Sequence, residues 1–135
     1  MRAVLTLLLL VAATSAMAEW VRMGTTSRTS YKVFSDETVY YIDPATITSE
    51  GNYRKVWEIH DLSDKDSDGA RSVLASVEYD CAEKRMRTLK ATGRSLRMAR
   101  GEIIPLIRFF DDWIILQRGR DDDVFFKILD AVCAR

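Results

Sequence analysis

The sequence predicts an α+β fold: a single antiparallel β-sheet with a C-terminal α-helix packed on it and tied by one disulfide. Three observations carry this. Most of the chain up to residue 91 falls into short apolar-polar alternations, the clearest being Val73, Ala75, Val77, Tyr79 and Cys81 on one face of a strand. The final segment changes period, with Phe125, Ile128, Leu129 and Val132 on one helical stripe. Strands first and a helix last is the α+β order. The only two cysteines, Cys81 on the core-facing side of a strand and Cys133 beside the helical stripe, are placed so that a bond between them pins the helix to the sheet.

Taken in order, Trp20 to Glu37 is mostly polar and reads as a short first strand and a loop. Thr38 to Ile42 is β-branched and aromatic and stops at Asp43-Pro44, a turn signal. Ser49 to Asn52 is the next turn. Tyr53 to Ile59 alternates, with Tyr53, Trp57 and Ile59 on one face and Arg54, Glu58 and His60 on the other, so the second face is expected to be wet. Asp61 to Gly69 is a polar hairpin loop, and Arg85 to Ala91 a further strand ending near Gly93. Ile103 to Phe110 is too apolar for a free loop; it is expected to pack in the core as a strand with an edge Pro105, the alternative being an exposed patch. Trp113 to Leu116 is expected to be a strand buried on both faces. Asp121, Asp122 and Asp123 then supply the N-cap and first turn of the helix.

Residues 1 to 18 read as a cleaved signal peptide. Arg2 gives the positive start, Ala3 to Ala13 an unbroken apolar run, and Ala16-Met17-Ala18 the small residues a signal peptidase reads, leaving Glu19 to Arg135 as one mature domain. The run is about half the roughly 20 apolar residues a membrane span needs, so no membrane insertion is expected after cleavage. No Cys follows the cleavage site, so no lipid anchor is expected either, and the product should be periplasmic or secreted. The chain holds 20 basic and 20 acidic residues, and losing Arg2 shifts the balance by a single charge. Such a balance argues against bulk nucleic-acid or anionic-membrane binding. In an oxidising compartment the two cysteines favour a structural disulfide. A redox pair or a metal site would call for a Cys-x-x-Cys spacing or a His near either sulfur, and neither is present. Closing that loop is worth about 4 kcal/mol on the chain-entropy account.

Trp20-Val21, Val39-Tyr40-Tyr41-Ile42-Asp43-Pro44, Val56-Trp57, Tyr79-Asp80-Cys81-Ala82, Lys84-Arg85-Met86-Arg87, Trp113 and Cys133 together resemble the surface-adhesin protein E-like family of proteobacterial exported proteins. The match runs through nearly the whole mature chain in order, and Asp80-Cys81-Ala82 with Cys133 is its most specific part. The resemblance implies an antiparallel sheet with a C-terminal helix, no cofactor, no catalytic residues, a protein partner and a capacity to dimerise.

The remaining candidates are weaker. Asp64 to Gly69 copies the opening of a calcium loop, but the twelfth position, where a bidentate carboxylate is required, is Ala75. The stretch Lys84 to Arg108 is strongly basic and Glu58 to Asp68 acidic, which reads first as solvated charge. His60 is the only histidine, and no Gly-x-Ser-x-Gly turn accompanies it, so no catalytic or metal residues are assigned and the chain is not expected to be an enzyme. The expected function is a non-enzymatic exported binding module, adhesin-like, holding another protein through its sheet or loops. The alternative is a structural or envelope-assembly accessory acting as a homodimer.

Overall fold

A computed structural model describes residues 18–29, 35–106, 111–119 and 123–135. The expected leader lies outside these residues apart from Ala18, as do Ile107 to Phe110 and the first two aspartates ahead of the helix. The strands are β1 (Val21–Thr29), β2 (Ser35–Glu50), β3 (Tyr53–Leu62), β4 (Ser72–Asp80), β5 (Arg85–Arg94), β6 (Ile103–Ile104) and β7 (Ile114–Ile115), followed by helix α1 (Asp123–Cys133). They form one antiparallel sheet in the order β1-β2-β3-β4-β5-β6, with β7 also paired to β5. The fold class expected from the sequence is therefore the one observed.

Strand β2 does not stop at Asp43-Pro44 as expected. It runs through them with a register shift against β3 between Asp43 and Thr48. Side chains replace the ladder bonds that Pro44 removes. The Asp43 carboxylate accepts the Ala45 N–H at 3.1 Å, and the Thr46 hydroxyl donates to the Asp43 carbonyl at 2.7 Å. The same hydroxyl accepts the Trp57 N–H at 3.0 Å, so β3 keeps its bond across the bulge.

Helix α1 lies on one face of the sheet. Its Val124, Phe126, Ile128, Leu129 and Val132 are buried against Ile42, Val56, Ala75, Val77, Tyr79 and Met86. Burying each such apolar side chain contributes about 1.5–3 kcal/mol, so the helix is held by packing far more than by propensity. Gly24 marks where β1 comes closest: a Cβ there would stand 3.1 Å from Val124 Cγ2. At the other end Cys81 and Cys133 are bonded, with their Cα atoms 5.9 Å apart. That bond joins the last turn of α1 to the β4–β5 turn; Cys81 stands just past the end of β4 rather than on the strand itself.

Three further expectations fail. On β3 the face carrying Glu58 and His60 is not the wet one: it is the face beneath the helix, where Val56 joins the core and Glu58 is fully buried. Ile59, on the opposite face, is equally buried, so β3 is covered on both sides. Strand β7 is not a buried strand. Ile114 and Ile115 are 44% and 68% exposed because β7 hangs on the outer edge of β5, and only Leu116 turns under into the core, its N–H bonded to the Lys84 carbonyl at 3.0 Å. Ile103 is 62% exposed on β6 for the same reason. Its neighbour Ile104 passes so close to Gly93 that a Cβ there would meet the Ile104 carbonyl at 2.8 Å.

Candidate functional site

Two places combine polar chemistry with access. The first is on the helix side, where β2, β3 and β4 meet beyond the N-terminal end of α1. Glu58 has no exposed surface, and a buried carboxylate is tolerated only when hydrogen-bonded. Both of its oxygens are engaged: the Tyr79 hydroxyl donates to Oε2, and His60 Nε2 lies 2.8 Å from Oε1. Burial first, and then the charge and hydrogen bond of Glu58, push the Tyr79 phenol well above its ordinary range, so it remains a donor. The His60 ring packs at 4.6 Å from that of Tyr40, which meets Phe125 edge-on at 5.0 Å. Tyr40 and His60 wall a cavity of about 310 Å³ that reaches the loop between β3 and β4.

The second place is the face away from the helix, together with the outer edge of β5. Cross-strand register puts Arg85 opposite Asp80, Arg87 opposite Glu78, Lys90 opposite Ser76 and Arg94 opposite Ser72. Trp113 takes the guanidinium groups of Arg85 and Arg87 at 4.3 and 4.4 Å from its ring centre and stacks on Tyr53 at 5.9 Å. Asp80 and Glu78 pair with those two arginines at 2.9 and 2.7 Å. Burial raises the Asp80 carboxyl, but the N–H of Glu83, the Arg85 side chain and charge, and the N–H of Ala82 outweigh it and hold the group below its ordinary value. Lys90, Arg94 and Arg100 have no carboxylate partner among the described residues.

The loop between β5 and β6 is fixed from beneath. Asp61 accepts the Met98 N–H at 3.0 Å and Arg97 Nε at 3.1 Å, while Ser72 accepts the Ala99 N–H at 2.9 Å and donates to the Leu96 carbonyl at 2.6 Å. These buried side chains hold Met98 and Ala99 at φ of 57° and 55°, a left-handed conformation costing about 1–2 kcal/mol per residue. The result is a loop that presents Leu96, 57% exposed, among arginines. Leu96 and Ile103 thus lie at one end of the β5 edge, and Ile114 and Ile115 at the other.

The sequence-level candidates fare differently. Cys81 and Cys133 are joined. The Asp64 to Asp68 loop is held by its own backbone: Asp66 Oδ1 accepts the N–H groups of Asp68 and Ala70, each at 2.9 Å. Among the described residues no three His, Cys, Asp or Glu side chains converge as a metal site would need. No described helix is long and apolar enough to cross a membrane. Arg85, Arg87, Lys90 and Arg94 of the basic stretch lie on one face of β5, Arg108 lies outside the described residues, and His60 is brought to a cavity wall. The Glu58–Tyr79 pair and the Trp113–arginine cluster were not anticipated.

The model of the family described as surface-adhesin protein E matches residues 20–134. The solved structure of Haemophilus influenzae protein E is similar to this chain with a TM-score of 0.58 and 15% identity, covering 70% of this chain and 76% of that one. Crystal form II of the same protein gives the same score and identity over 80% of its chain. At that identity the likeness is one of fold. No curated protein matches the chain.

Proposed function

The chain belongs to the surface-adhesin protein E family, and from that premise we propose that it is a non-enzymatic, exported binding module that holds another protein against the β5 edge of its sheet. The observation that carries this reading is the placing of exposed Leu96 and Ile103 at one end, and exposed Ile114 and Ile115 at the other, of the edge of a basic strand. Each pair is small by itself, but two exposed apolar pairs at the ends of one edge, with a row of basic residues between them, suit a protein interface that spans the strand. Trp113, buttressed by two arginines, adds the kind of rigid aromatic anchor that dominates interface energetics.

Lys90, Arg94 and Arg100, without a carboxylate partner among the described residues, favour a partner surface that carries acidic groups. The same charges disfavour the homodimer reading, because two copies meeting edge to edge set like charges against each other. The leader at residues 1 to 18, a mature domain from 19 to 135 and a periplasmic or released product complete the proposal; the disulfide supports an oxidising compartment.

Ile103→Asp with Ile115→Asp tests it. Both side chains face solvent, so thermal stability should change little, while affinity for the native partner should fall at least tenfold. Unchanged affinity would remove the β5 edge from the interface. Sedimentation of the purified domain should give a monomer; a dimer broken by the same pair of substitutions would instead establish the accessory homodimer.

A further inference from the structure

We propose that the face of the sheet away from α1 carries a second binding site, for a linear anionic polysaccharide: a chain of pyranose rings bearing sulfate or carboxylate groups. Helix α1 packs on the side of Val56 and Val77, so Trp57 and Ile59 of β3 and Leu74 and Ser76 of β4 stand on the opposite side. In cross-strand register one row there runs Arg22, Tyr41, Ile59 and Leu74, and the next runs Asp43, Trp57, Ser76 and Lys90. Tyr41 and Trp57 are therefore diagonal neighbours on adjacent strands, with backbones about 7–8 Å apart. Both rings are half-buried, so each keeps a surface open to a ligand.

Three cations flank this aromatic pair. Arg22 lies opposite Tyr41, Lys55 is the next residue from Trp57 along this face of β3, and Lys90 lies two strands across from Trp57. All three are exposed, and none pairs with a carboxylate among the described residues. The carboxylates between them are withdrawn. Asp43 and Glu78 are each 6% exposed, the first accepting the Ala45 N–H and the second paired with Arg87. Glu37 and Glu50, exposed acids of this face, stand near the two ends of β2. The charge that a ligand meets in the middle of the face is positive.

Cations on a surface would by themselves be solvated charge. Here they surround two flat rings, and that combination selects the ligand. The electron-rich face of an aromatic ring takes the C–H face of a pyranose and leaves the sugar hydroxyls in water. A sulfate or carboxylate on the sugar then reaches a neighbouring cation. From Arg22 on β1 to Lys90 on β5 is four strand spacings, about 19 Å, so an extended chain lying across the strands meets both cations with the rings between them. An acidic peptide would use the cations and leave the rings without a planar partner. A single-stranded nucleic acid brings a phosphate on every residue, which calls for a continuous basic groove rather than three spaced charges.

The strip is bordered at both ends. At one, the loop between β5 and β6 stands over this face, with its Met98 and Ala99 N–H groups bonded to Asp61 and Ser72. At the other, Trp113 lies over the guanidinium groups of Arg85 and Arg87. A lipid surface would meet these borders before the floor, whereas a single polysaccharide chain fits between them. The floor itself is fixed by the pairing of five strands, and a preformed site loses less conformational freedom on binding. Of the three cations only Lys90 is shared with the β5 edge.

The test is an NMR titration of the full exported chain with five probes of matched length: heparin, hyaluronan and malto-oligosaccharide hexamers, hexaglutamate and a thymidine hexanucleotide. The heparin hexamer, the hyaluronan hexamer or both should give saturable shifts at the Trp57 indole N–H and the Tyr41 ring, and the neutral sugar should not at equal concentration. Binding of heparin alone assigns the sulfate, binding of both assigns either anion, and binding of hyaluronan alone the carboxylate; each supports the site. Arg22→Gln with Lys55→Gln, both at exposed positions, should weaken binding at least threefold with an unchanged circular dichroism spectrum. Trp57→Leu should do the same through lost stacking, and Tyr41→Leu replaces it if that variant unfolds. Shifts that do not saturate, that hexaglutamate or the hexanucleotide reproduces at equal affinity, that appear only at the β5 edge, or that survive the double substitution unweakened would overturn the proposal.

Discussion

Glu58 shows how a single residue decides which way a strand faces. Read along β3 alone, Arg54, Glu58 and His60 make a polar side and Tyr53, Trp57 and Ile59 an apolar one. Across the ladder the opposite holds: Val56 pairs with Val77, Glu58 with Ala75 and His60 with Val73, so Glu58 and His60 stand among the apolar positions of β4. Period two identified the strand but not its inner face, because Glu58 is hydrogen-bonded by a partner, Tyr79, that lies on another strand. Tyr79→Phe tests that account. It removes the donor and leaves the buried carboxylate with one bond fewer, so unfolding free energy should drop by about 1–3 kcal/mol, while an unchanged value would mean water replaces the hydroxyl. Asp80 gives a pH signature. Its folded pKa is lowered, so the unfolded chain binds more protons in acid. The stability it confers is complete above the unfolded value of about 3.9 and is lost as pH falls through the folded one. Acid titration of Asp80→Asn should therefore show a shallower fall below about pH 4 than the parent chain. An identical slope would assign the acid sensitivity elsewhere.

At the scale of elements, β3, β4 and α1 were legible as elements because each rests on a long periodicity. On α1, Ile128, Leu129 and Val132 are buried as read, while Val124 and Phe126 join them and Phe125 is only partly buried. The short edge elements were not legible. Ile114-Ile115 and Ile103-Ile104 have the composition of core strands, yet both sit outside β5, where composition cannot tell a buried run from an exposed one. Asp43-Pro44 signalled a turn correctly in a local sense; what sequence reasoning missed was Thr46, whose hydroxyl carries β2 through the bulge. For α1, apolar packing and the disulfide act at different places, the first along the helix and the second at its last turn. Cys133→Ser should lower stability by about 2–5 kcal/mol and raise hydrogen exchange first in residues near the C-terminal end of the helix. Uniform exchange along α1 would show that the bond does not fix the helix end.

For the whole molecule, the two faces of one sheet divide the work. The helix covers one face and leaves a walled cavity at its N-terminal end; the other face and the β5 edge carry arginines, Trp113 and exposed isoleucines. The family was legible because its landmarks, from Trp20 to Cys133, keep their order along nearly the whole chain. The interface was not, because it depends on which apolar residues the edge of the sheet leaves uncovered. Site-specific photo-crosslinking in the native envelope tests the central claim most directly, with a benzophenone residue placed at Ile115 or Ile103 on the edge, or at Lys127 on the exposed side of α1. Discrete adducts to one other protein from positions 115 and 103, and none from 127, are the predicted result. Adducts from 127 alone, or none from the edge positions, would contradict the account.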